Sequence, residues 1–580
     1  MNDMYNCNET MTDTISGKAD SVLTNGRVYT INAANSIAEA VAIKDGAIVF
    51  VGNDSEAKQY IGKNTKTINL EGKTVLPGFI DTHVHAPGTA YTVLYNIDLN
   101  NLTTVEAVMS TIEAFVRKNP DKEIYYGRGF LASIFEGMEG LLGPKKERLD
   151  KICPDKPIIL TDFGGHIFWL NTKAFELCGI TKDTPNPTGG VVEKDPVTGE
   201  LWGTLKDDAK KLFPDQTFTL EEKVEAVKFL QKKLHSLGYT SIFALRPGGA
   251  TYPKTILEAF QSLEEKNELK LRVNGARDIY PDQDVRPQLE ELKDLREKYH
   301  SELLNVTTAK YFNDGVIEGL TGYLLEPYGS AAGKGDAYYG EPVWDLEKMK
   351  KALKETLDEG FQIHVHSIGD GATRNTIDAI EYAQKNSGSN NYRNVITHLQ
   401  LVAPEDIERM ARLNIIANVQ AYWHFKDPLF WHDSDYALLG ERAEREFPLK
   451  SFIDAGITVT ASADHPVTPE PNPFYAIKAG VTRNLITAAK YGIEDIKDQD
   501  DPQWLLDKNE RASVLDMVKA YTINGAYGLY MEDKVGSIEK GKCADLIIID
   551  KDLFEINPMD IETVKVLTTI FNGEIVYEMK

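Results

Sequence analysis

Two histidines separated by one residue are the first candidates for chemistry in this sequence. His83 and His85 close the run LPGFIDTHVH at 76–85, whose apolar stretch predicts a buried strand. In an extended chain, residues two apart project to the same side, so the two imidazoles face one side and are suited to chelating a metal ion. The alternative is that both rings are only packed and hydrogen-bonded.

Four further polar residues lie at the ends of strand-like runs. His366 ends QIHVH, His398 ends NVITH, Asp464 ends TVTASAD, and Lys310 ends TTAK. In a β/α barrel the carboxyl ends of the strands converge on one volume, so these side chains are expected to meet His83 and His85 there. Imidazoles and carboxylates are the ligands expected for Zn²⁺ and similar divalent ions. Separately buried histidines, each bonded to a carbonyl, are the alternative.

Lys310 needs its own explanation, because an ammonium group does not bind a cation. One reading is an exposed or salt-bridged lysine. The other is a neutral buried amine that reacts with carbon dioxide to form a carbamate, which resembles a carboxylate and bridges two metal ions. The residues alone leave both readings open.

The elements that must position these residues follow an alternating pattern. Runs with helical periodicity and acidic starts, such as 345–360 and 404–413, lie between short β-branched runs. The pattern predicts a (β/α)8 barrel over 77–529, with an inserted subdomain at about 90–237 after the first strand, because that connection is longer than one crossover and has its own strand-like runs. The predicted barrel strands are 78–83, 240–244, 271–274, 307–311, 362–366, 394–398, 415–419 and 458–464.

Both ends of the chain read as antiparallel β-structure. The pairs Asn25-Gly26, Asp45-Gly46 and Asn572-Gly573 are typical of hairpin turns between strands. We therefore predict one split β-sandwich built from 19–76 and 530–580, with two isolated fragments as the alternative. Residues 1–18 are polar and predict a flexible tail.

Composition excludes several classes of partner. The 580 residues include 64 Lys plus Arg and 88 Asp plus Glu, a net charge of −24 that repels phosphate backbones and anionic lipid. No nucleic-acid or membrane partner is expected, and no apolar run approaches the ~20 residues needed to cross a bilayer. The four scattered cysteines and the polar N-terminus favour a cytoplasmic protein. A homodimer is a common default for such enzymes.

Nine stretches together resemble one family over nearly the whole chain. The sequence resembles the amidohydrolase superfamily, specifically the amidohydrolase-3 group that includes N-substituted formamide deformylases. The matching stretches are LPGFIDTHVH at 76–85, YGRGF at 126–130, DFGGHIFWLNTKAFELCGI at 162–180, GELWGTLKDDA at 199–209, AKYFNDG at 309–315, HVHSIGDGA at 364–372, THLQ at 397–400, SADHPV at 462–467 and GSIEKGKCADLIIID at 536–550.

The resemblance implies a (β/α)8 barrel with a split β-sandwich, and it implies roles for the rim residues. It assigns one or two divalent ions, Zn²⁺ above all, to a set of six ligands in which Lys310 is the carboxylated bridge of binuclear members. Other divalent metals remain open, as does the choice between one ion and two. The implied ligands are His83, His85, Lys310, His366, His398 and Asp464.

The expected chemistry is hydrolysis of a non-peptide C–N bond. A metal lowers the pKa of bound water to about 7 and so supplies hydroxide, while Asp464 accepts a proton and passes it to the leaving nitrogen. His166 is a candidate for polarising the substrate carbonyl, with a structural cap as the alternative. Hydrolysis of a cyclic amide or an ester, and a non-catalytic metal-binding sensor, are the alternative functions.

The substrate is expected to be a small N-acyl or N-formyl amide with an apolar or aryl substituent. Aromatic residues are concentrated in segments expected above the rim, although such residues are also common in cores. The Gly-rich loop 313–343 is predicted to close over the substrate. The predicted substrate-binding residues are Phe168, Trp169, Tyr323 and Trp423.

Overall fold

The computed structural model describes residues 17–100, 102–162, 165–187, 190–214, 216–245, 255–388, 392–428, 430–494, 496 and 498–580. Apart from residues 17 and 18, the predicted N-terminal tail lies outside these ranges. The described residues form two compact units, one from residues 17–88 and 227–580 and the other from residues 89–226.

Short strands and helices alternate along the described residues. The strands, in chain order, are β1 (Ser21–Thr24), β2 (Arg27–Tyr29), β3 (Ile37–Ala38), β4 (Ala40–Lys44), β5 (Ala47–Gly52), β6 (Lys66–Asn69), β7 (Thr74–Pro77), β8 (Phe79–His85), β9 (Ile97–Asp98), β10 (Tyr125–Phe130), β11 (Ile158–Asp162), β12 (Ile167–Leu170), β13 (Gly190–Lys194), β14 (Leu201–Asp207), β15 (Tyr239–Leu245), β16 (Arg272–Asp278), β17 (Leu304–Phe312), β18 (Gln362–Ser367), β19 (Val395–His398), β20 (Ile416–Val419), β21 (Val459–Ala461), β22 (Leu546–Ile549), β23 (Val566–Phe571) and β24 (Glu574–Glu578). The α-helices are α1 (Asp54–Ala57), α2 (Ala90–Tyr95), α3 (Val105–Lys118), α4 (Met138–Leu142), α5 (Lys146–Asp150), α6 (Thr172–Cys178), α7 (Leu220–Ser236), α8 (Thr255–Glu265), α9 (Val285–Lys298), α10 (Leu346–Asp358), α11 (Asp370–Asn386), α12 (Pro404–Arg412), α13 (Tyr436–Leu439), α14 (Leu449–Asp454), α15 (Pro473–Thr482), α16 (Val514–Ala520) and α17 (Ile523–Gly528).

Eight parallel strands form a nearly closed barrel. Their order is β21-β20-β19-β18-β17-β16-β15-β8, which follows the chain from the last strand back to the first. The first and last strands approach each other, because the backbone N–H of Asp464 donates to the His83 carbonyl at 3.1 Å and the N–H of His85 donates to the His465 carbonyl at 2.9 Å. The predicted β/α barrel is confirmed, and all eight predicted strands overlap observed ones.

The crossover helices follow from amphipathic patterning. In α10 the carboxylate of Asp345 accepts a hydrogen bond from the Lys348 N–H and caps the first turn. Its buried residues recur three or four positions apart, so one stripe faces the strands while the charged face meets solvent. These residues are Met349, Ala352, Leu353, Thr356 and Leu357.

Strands from both ends of the chain share one sheet. The six-stranded sheet has the order β24-β23-β22-β7-β2-β3, and its central contact is the antiparallel pairing of β22 with β7. A four-stranded sheet, β5-β4-β1-β6, contributes Leu23, Val41 and Ile48 to the same hydrophobic cluster as Leu546 and Ile548. Burial of this shared apolar surface holds the two termini of the chain together.

Two of the three predicted hairpin turns are observed. Asp45-Gly46 joins antiparallel β4 and β5, and Asn572-Gly573 joins antiparallel β23 and β24. The hairpin at Asn25-Gly26 was a wrong prediction, because β1 and β2 belong to different sheets. Asn25 does adopt a positive φ of 54°, but the turn carries the chain from one sheet to the other instead of pairing its flanking strands.

Residues 89–226 form a unit with its own sheet and core. The sheet order is β13-β14-β12-β11-β10-β9, with β10 and β11 parallel and β12 and β14 antiparallel to their neighbours. Its largest buried ring is that of Trp169, which packs edge-on against Phe130 and Phe135. The unit lies in the sequence between β8 and β15, the first two barrel strands.

No helix among the described residues is long and apolar enough to cross a membrane.

Candidate metal centre

Two imidazoles converge on one carboxylate oxygen. Asp464 Oδ1 lies 3.2 Å from His83 Nε2 and 3.0 Å from His85 Nε2. His83 and His85 are two residues apart on β8 and therefore face the same side, as expected from strand geometry. Within the described ranges, this is the one group of three or more His, Cys, Asp or Glu side chains whose ligand atoms lie within 4.8 Å of one another.

Asp464 reaches this position from a loop and not from a strand. The prediction that it ends the eighth strand was wrong, because β21 ends at Ala461. Asp464 has a positive φ of 54°, a conformation that is uncommon for a residue other than glycine and is concentrated at functional sites. The hydrogen bond from its N–H to the His83 carbonyl, at 3.1 Å, holds this turn against β8.

His398 is oriented by a partner that the sequence did not reveal. Its Nδ1 lies 2.9 Å from the Oε1 of Gln420, so Nδ1 carries the proton and Nε2 is left to bind a cation. Burial is the main cause that holds the pKa of His398 well below its ordinary value. The ring is therefore neutral, which is the form that ligates metals.

His366 stands beside His398, with ring centroids 4.4 Å apart. The His366 Nε2 lies 3.0 Å from the carbonyl oxygen of Gly315. Since a carbonyl only accepts, Nε2 carries the proton and Nδ1 is the nitrogen available to a cation. His366 therefore presents the opposite nitrogen from His398.

Lys310 is fully buried on β17. Its register places it beside His364 of β18 and Asp278 of β16, and its Nζ lies 4.9 Å from the centroid of the Phe312 ring. The positive charge of Lys310 contributes to lowering the pKa of His364, after the larger effect of burial. An ammonium at this position opposes a bound cation, so the charge of the side chain decides whether Lys310 serves a metal site.

A layer of hydrogen-bonded side chains supports the ligands from inside the barrel. The Nδ1 of His83 lies 3.1 Å from the Nε2 of His364. His364 lies two residues before His366 on the same strand and supports the ring of His83. Gln420 also donates to Ser462 at 2.8 Å and to Asn418 at 3.0 Å. These contacts fix rotamers and tautomers before any ion arrives.

Asp314 is a second residue that sequence reasoning missed. Its buried carboxylate accepts backbone N–H bonds from Tyr323 at 3.0 Å, Ile368 at 2.9 Å and Gly369 at 2.8 Å. One of its oxygens lies 3.7 Å from the Nε2 of His366. A signal existed for both missed residues, because Asp314 lies two residues after the end of β17 and Gln420 directly follows β20, near the rim where the predicted ligands lie.

The predicted substrate-binding residues fall into two groups. Trp423 stacks on His398, with centroids 5.8 Å apart and rings within 17° of parallel, and Tyr323 is half-buried in the loop after β17. Trp169 and Phe168 are buried in the core of the unit formed by residues 89–226. The rings of Trp169 and Phe168 therefore contribute to packing. A contact with substrate stays a prediction for all four residues.

His166 lies in the same unit, 89–226, with a largely exposed side chain. Its Nδ1 is 3.0 Å from the Oδ1 of Asp207, and its backbone N–H donates to Asp162 at 2.8 Å. Asp207 has a φ of 49° and a ψ of −124°, a strained combination for a residue with a side chain. The carboxylate fixes one nitrogen of His166 and leaves the other to solvent.

Comparison with known proteins agrees with this geometry. The model of the amidohydrolase family matches residues 66–577. This chain belongs to the amidohydrolase family. Within it, the sequence supports the amidohydrolase-3 group proposed from the motifs, since an N-substituted formamide deformylase from Arthrobacter pascens is 26% identical over 572 residues, which cover 96% of this chain and 98% of the relative.

Two other similar proteins carry different descriptions. The exoenzymes regulatory protein AepA from Pectobacterium carotovorum subsp. carotovorum is 28% identical over 452 residues, 77% of this chain and 94% of that protein. The crystal structure of an uncharacterized metal-dependent hydrolase from Pyrococcus horikoshii OT3 superposes with a TM-score of 0.71 at 23% identity, covering 93% of this chain and 99% of the other. The second match supports the fold.

The donor set fits a divalent cation. Buried imidazoles and a carboxylate whose free atoms converge are the ligands that Zn²⁺ takes in proteins. The tautomers of His366 and His398, set by Gly315 and Gln420, each leave one unprotonated nitrogen. Amidohydrolase chemistry at a metal is therefore supported by the residues of this chain.

Proposed function

We propose that the protein is a metal-dependent hydrolase of a non-peptide C–N bond in an N-acyl or N-formyl amide of a small apolar or aryl molecule. The observation that carries the proposal is the position of Asp464, whose Oδ1 is within 3.2 Å of both His83 and His85. A carboxylate held there serves both as a ligand and as a proton carrier.

One or two divalent ions, Zn²⁺ above all, are proposed as the cofactor. A bound ion polarises the substrate carbonyl and makes water acidic enough to act as a nucleophile near neutral pH. Two ions require Lys310 in its carboxylated form, because its ammonium would repel them. The residues proposed to hold the ions are His83, His85, Lys310, His366, His398 and Asp464.

Asp464 is proposed to move the proton. Burial alone raises the pKa of its carboxyl, but the hydrogen bond from His85 and the positive charge of that ring outweigh burial and bring the pKa below its ordinary value. Asp464 is thus ionised at neutral pH and ready to accept a proton during attack. Returning that proton to the nitrogen lets an otherwise poor leaving group depart as an amine.

The remaining proposals concern substrate contacts, cellular location, oligomeric state and domain organisation. His166 is proposed to polarise the carbonyl through the ring nitrogen that Asp207 leaves to solvent. Trp423 and Tyr323, with Phe168 and Trp169, are proposed to favour an apolar or aryl substituent. We further propose that the protein is cytoplasmic, acts on a small molecule and has no nucleic-acid or membrane partner. We propose that it functions as a homodimer. Its proposed domains besides the barrel are the inserted subdomain 90–237 and the split β-sandwich formed by 19–76 with 530–580.

The test compares hydrolysis with metal content. The metal-loaded protein is assayed on N-formyl and N-acyl benzylamines, a lactam and an aryl ester, and Asp464→Asn is compared with Asp336→Asn, whose carboxylate is exposed on the loop 313–343. We expect amide hydrolysis that falls by about 100-fold or more in Asp464→Asn, since positioned acid–base groups contribute about 10²–10⁴. The control should match the natural chain.

A regulatory role is the competing outcome, since the similar protein AepA is named as a regulator. Full metal occupancy without turnover of amides, lactams or esters would support a metal-binding sensor. The proposed hydrolase activity would then be wrong. Turnover of the lactam or ester alone would keep the metal centre and change the substrate class.

A further inference from the structure

Two buried carboxylates outside the proposed ligand set share one hydrogen-bond donor. Asp435 and Glu446 belong to the segment 420–447, which follows the seventh barrel strand, and are only 7% and 1% exposed. They share one donor, because the Nε2 of Gln400 lies 3.3 Å from the Asp435 Oδ2 and 2.9 Å from the Glu446 Oε1. Gln400 comes two residues after the proposed ligand His398.

Each carboxylate keeps one oxygen without a donor. The Oδ1 of Asp435 and the Oε2 of Glu446 are buried and have no hydrogen-bond partner in the part of the chain that the structure describes. A buried carboxylate oxygen without a donor is costly, more so than a neutral one. Nearby cations are engaged elsewhere: Arg483 donates to the carbonyl of Glu446 and not to its carboxylate, and Lys426 pairs with Glu444 at 2.9 Å.

A third buried side chain of this segment is also without a partner. The ring of His424 is fully buried, and neither of its nitrogens has a hydrogen-bond partner within the described ranges. His424 stacks on Phe447, the neighbour of Glu446, with centroids 4.7 Å apart. One segment thus buries three polar side chains with unfilled hydrogen-bonding capacity, which is rare in proteins unless a ligand or water completes it.

Electrostatics indicate the sign of the missing group. Burial is the main cause of both shifts: it raises the pKa of Asp435 to about 7 and the pKa of Glu446 well above its ordinary range. The negative charge of Asp435 raises the pKa of Glu446 further. The charge of Glu318, on the loop after β17, raises both further. The pair therefore holds protons near neutral pH unless a cation lies beside it, although the charge of Arg483 already lowers the pKa of Glu446.

A metal ion does not fit this gap. Among the described residues, only His83, His85 and Asp464 bring three His, Cys, Asp or Glu ligand atoms within 4.8 Å of one another. An ammonium group fits better, because it brings both positive charge and several N–H donors. The surroundings are apolar, since Trp431 and Phe447 belong to one hydrophobic cluster and Trp423, which stacks on His398, packs against it.

We propose that Asp435 and Glu446 bind a protonated amine of the substrate. Resting on the proposed function, this narrows the substrate class to mono-N-acylated or mono-N-formylated diamines, with the amide at the metal centre and the free ammonium at the acidic pair. The apolar cluster around Trp423 and Trp431 accommodates the hydrocarbon between the two nitrogens. The reaction releases a diamine and a carboxylic acid.

Matched substrates test the specificity. We compare N-benzylformamide with N-[3-(aminomethyl)benzyl]formamide on the metal-loaded protein and expect kcat/KM to favour the amine-bearing substrate by about 10-fold or more, the range for hydrogen bonds to charged groups. Glu446→Gln and Asp435→Asn should each remove that preference and leave the neutral substrate unchanged. Glu444→Gln, a charge change in the same segment at an exposed carboxylate, is the matched control.

A binding experiment tests the diamine site at Asp435 and Glu446 independently of the proposed hydrolase activity. Calorimetry measures the affinity of the metal-loaded natural chain and of the two variants for 1,3-bis(aminomethyl)benzene and for 1,3-benzenedimethanol. The melting temperature of each variant shows whether it is folded. Preferential diamine binding that both variants lose supports the site even if no formamide is hydrolysed. Equal binding of diamine and diol, or unchanged diamine binding in two folded variants, would mean that the pair only shares a proton and would overturn the proposal.

Discussion

Three of the four candidate ligand histidines are held by a hydrogen bond to the nitrogen that faces away from the site. His398 uses Gln420 and His366 uses the Gly315 carbonyl, while His83 has His364 beside its Nδ1. Because a neutral imidazole has one protonated nitrogen, the outer partner decides which nitrogen meets the ion. The outer partners therefore determine metal affinity as much as the ligands themselves do.

Replacing Gln420 tests this dependence. Gln420→Met keeps the side-chain length but removes the acceptor for His398 Nδ1, so the imidazole loses its fixed orientation. We expect a 10–100-fold weaker metal affinity, the usual effect of removing such a partner, measured by competition with a chelator. Gln384→Met, on the outer helix α11, removes a similar amide bonded to the Leu413 carbonyl and should leave the affinity unchanged. Equal affinities in both variants would contradict the assignment.

Lys310 provides the second test at this scale. If a carbamate on Lys310 binds metal, Lys310→Ala should lose both metal and activity, and added short carboxylic acids should partly restore both by occupying the vacated space. Metal content per chain and turnover are measured with and without acetate. Lys293→Ala removes an exposed, salt-bridged lysine of α9 as the control. A Lys310→Ala protein with unchanged metal content refutes the bridge.

At the scale of elements, local patterns predicted the strands better than the places where they end. Alternation and β-branched runs located all eight barrel strands, since buried parallel strands carry that signature themselves. Asp464 lies beyond its strand because its position depends on the His83 carbonyl, almost four hundred residues away in the sequence. Asn25-Gly26 was misread for the same reason: the turn signal is local, but Val22 and Leu23 pair with Ala42 and Val41.

The loop 313–343 was predicted as a lid, and the structure shows how its first residues are attached. The carboxylate of Asp314 accepts the N–H groups of Tyr323, Ile368 and Gly369, which joins the loop to the segment after β18. Farther along, Arg442 donates to the carbonyls of Glu326 and Pro327. Closure over substrate stays a prediction, and any movement must begin beyond the contacts of Asp314.

Asp314→Ala tests that anchor. The variant leaves three backbone N–H groups without their acceptor, at a cost of about 1–3 kcal/mol for each buried group. We expect faster hydrogen exchange at the amides of Tyr323, Ile368 and Gly369, by about 10-fold or more, with unchanged exchange in the terminal sheets. Asp336→Ala, at an exposed position on the same loop, serves as the control. Unchanged exchange at those amides would show that other contacts hold the loop.

Over the whole molecule, the barrel and the terminal strands are joined by buried polar contacts that no local pattern reveals. His235, in the last turn of α7, lies 2.8 Å from the Lys270 carbonyl through its Nε2, and its own carbonyl accepts a 2.6 Å hydrogen bond from Thr569 of β23. Arg272 of β16 pairs with Asp545 in a buried contact at 3.0 Å. The start of the barrel and the end of the chain are thus stabilised together.

His235 also makes this junction sensitive to acid. Burial lowers the pKa of His235 to about 4 from an ordinary 6.5, although the Lys270 carbonyl acts in the opposite direction. Because the folded-state pKa is depressed, the unfolded chain binds a proton first as the pH falls, and stability is lost between about pH 6.5 and 4. The loss amounts to roughly 2 kcal/mol by pH 5 and about 3 kcal/mol by pH 4.

Replacing His235 with a residue that does not titrate should flatten this dependence. His235→Gln keeps an N–H donor for the Lys270 carbonyl, so the variant should fold, with a somewhat lower free energy of unfolding at pH 7.5. Between pH 7.5 and 5 it should lose about 2 kcal/mol less than the natural chain, as measured by urea unfolding at both values. His300→Gln, at an exposed histidine, controls for a generic loss of one titrating group. Parallel pH profiles for the natural chain and His235→Gln would show that folding does not change the pKa of His235, and the junction would then owe its acid sensitivity to another group.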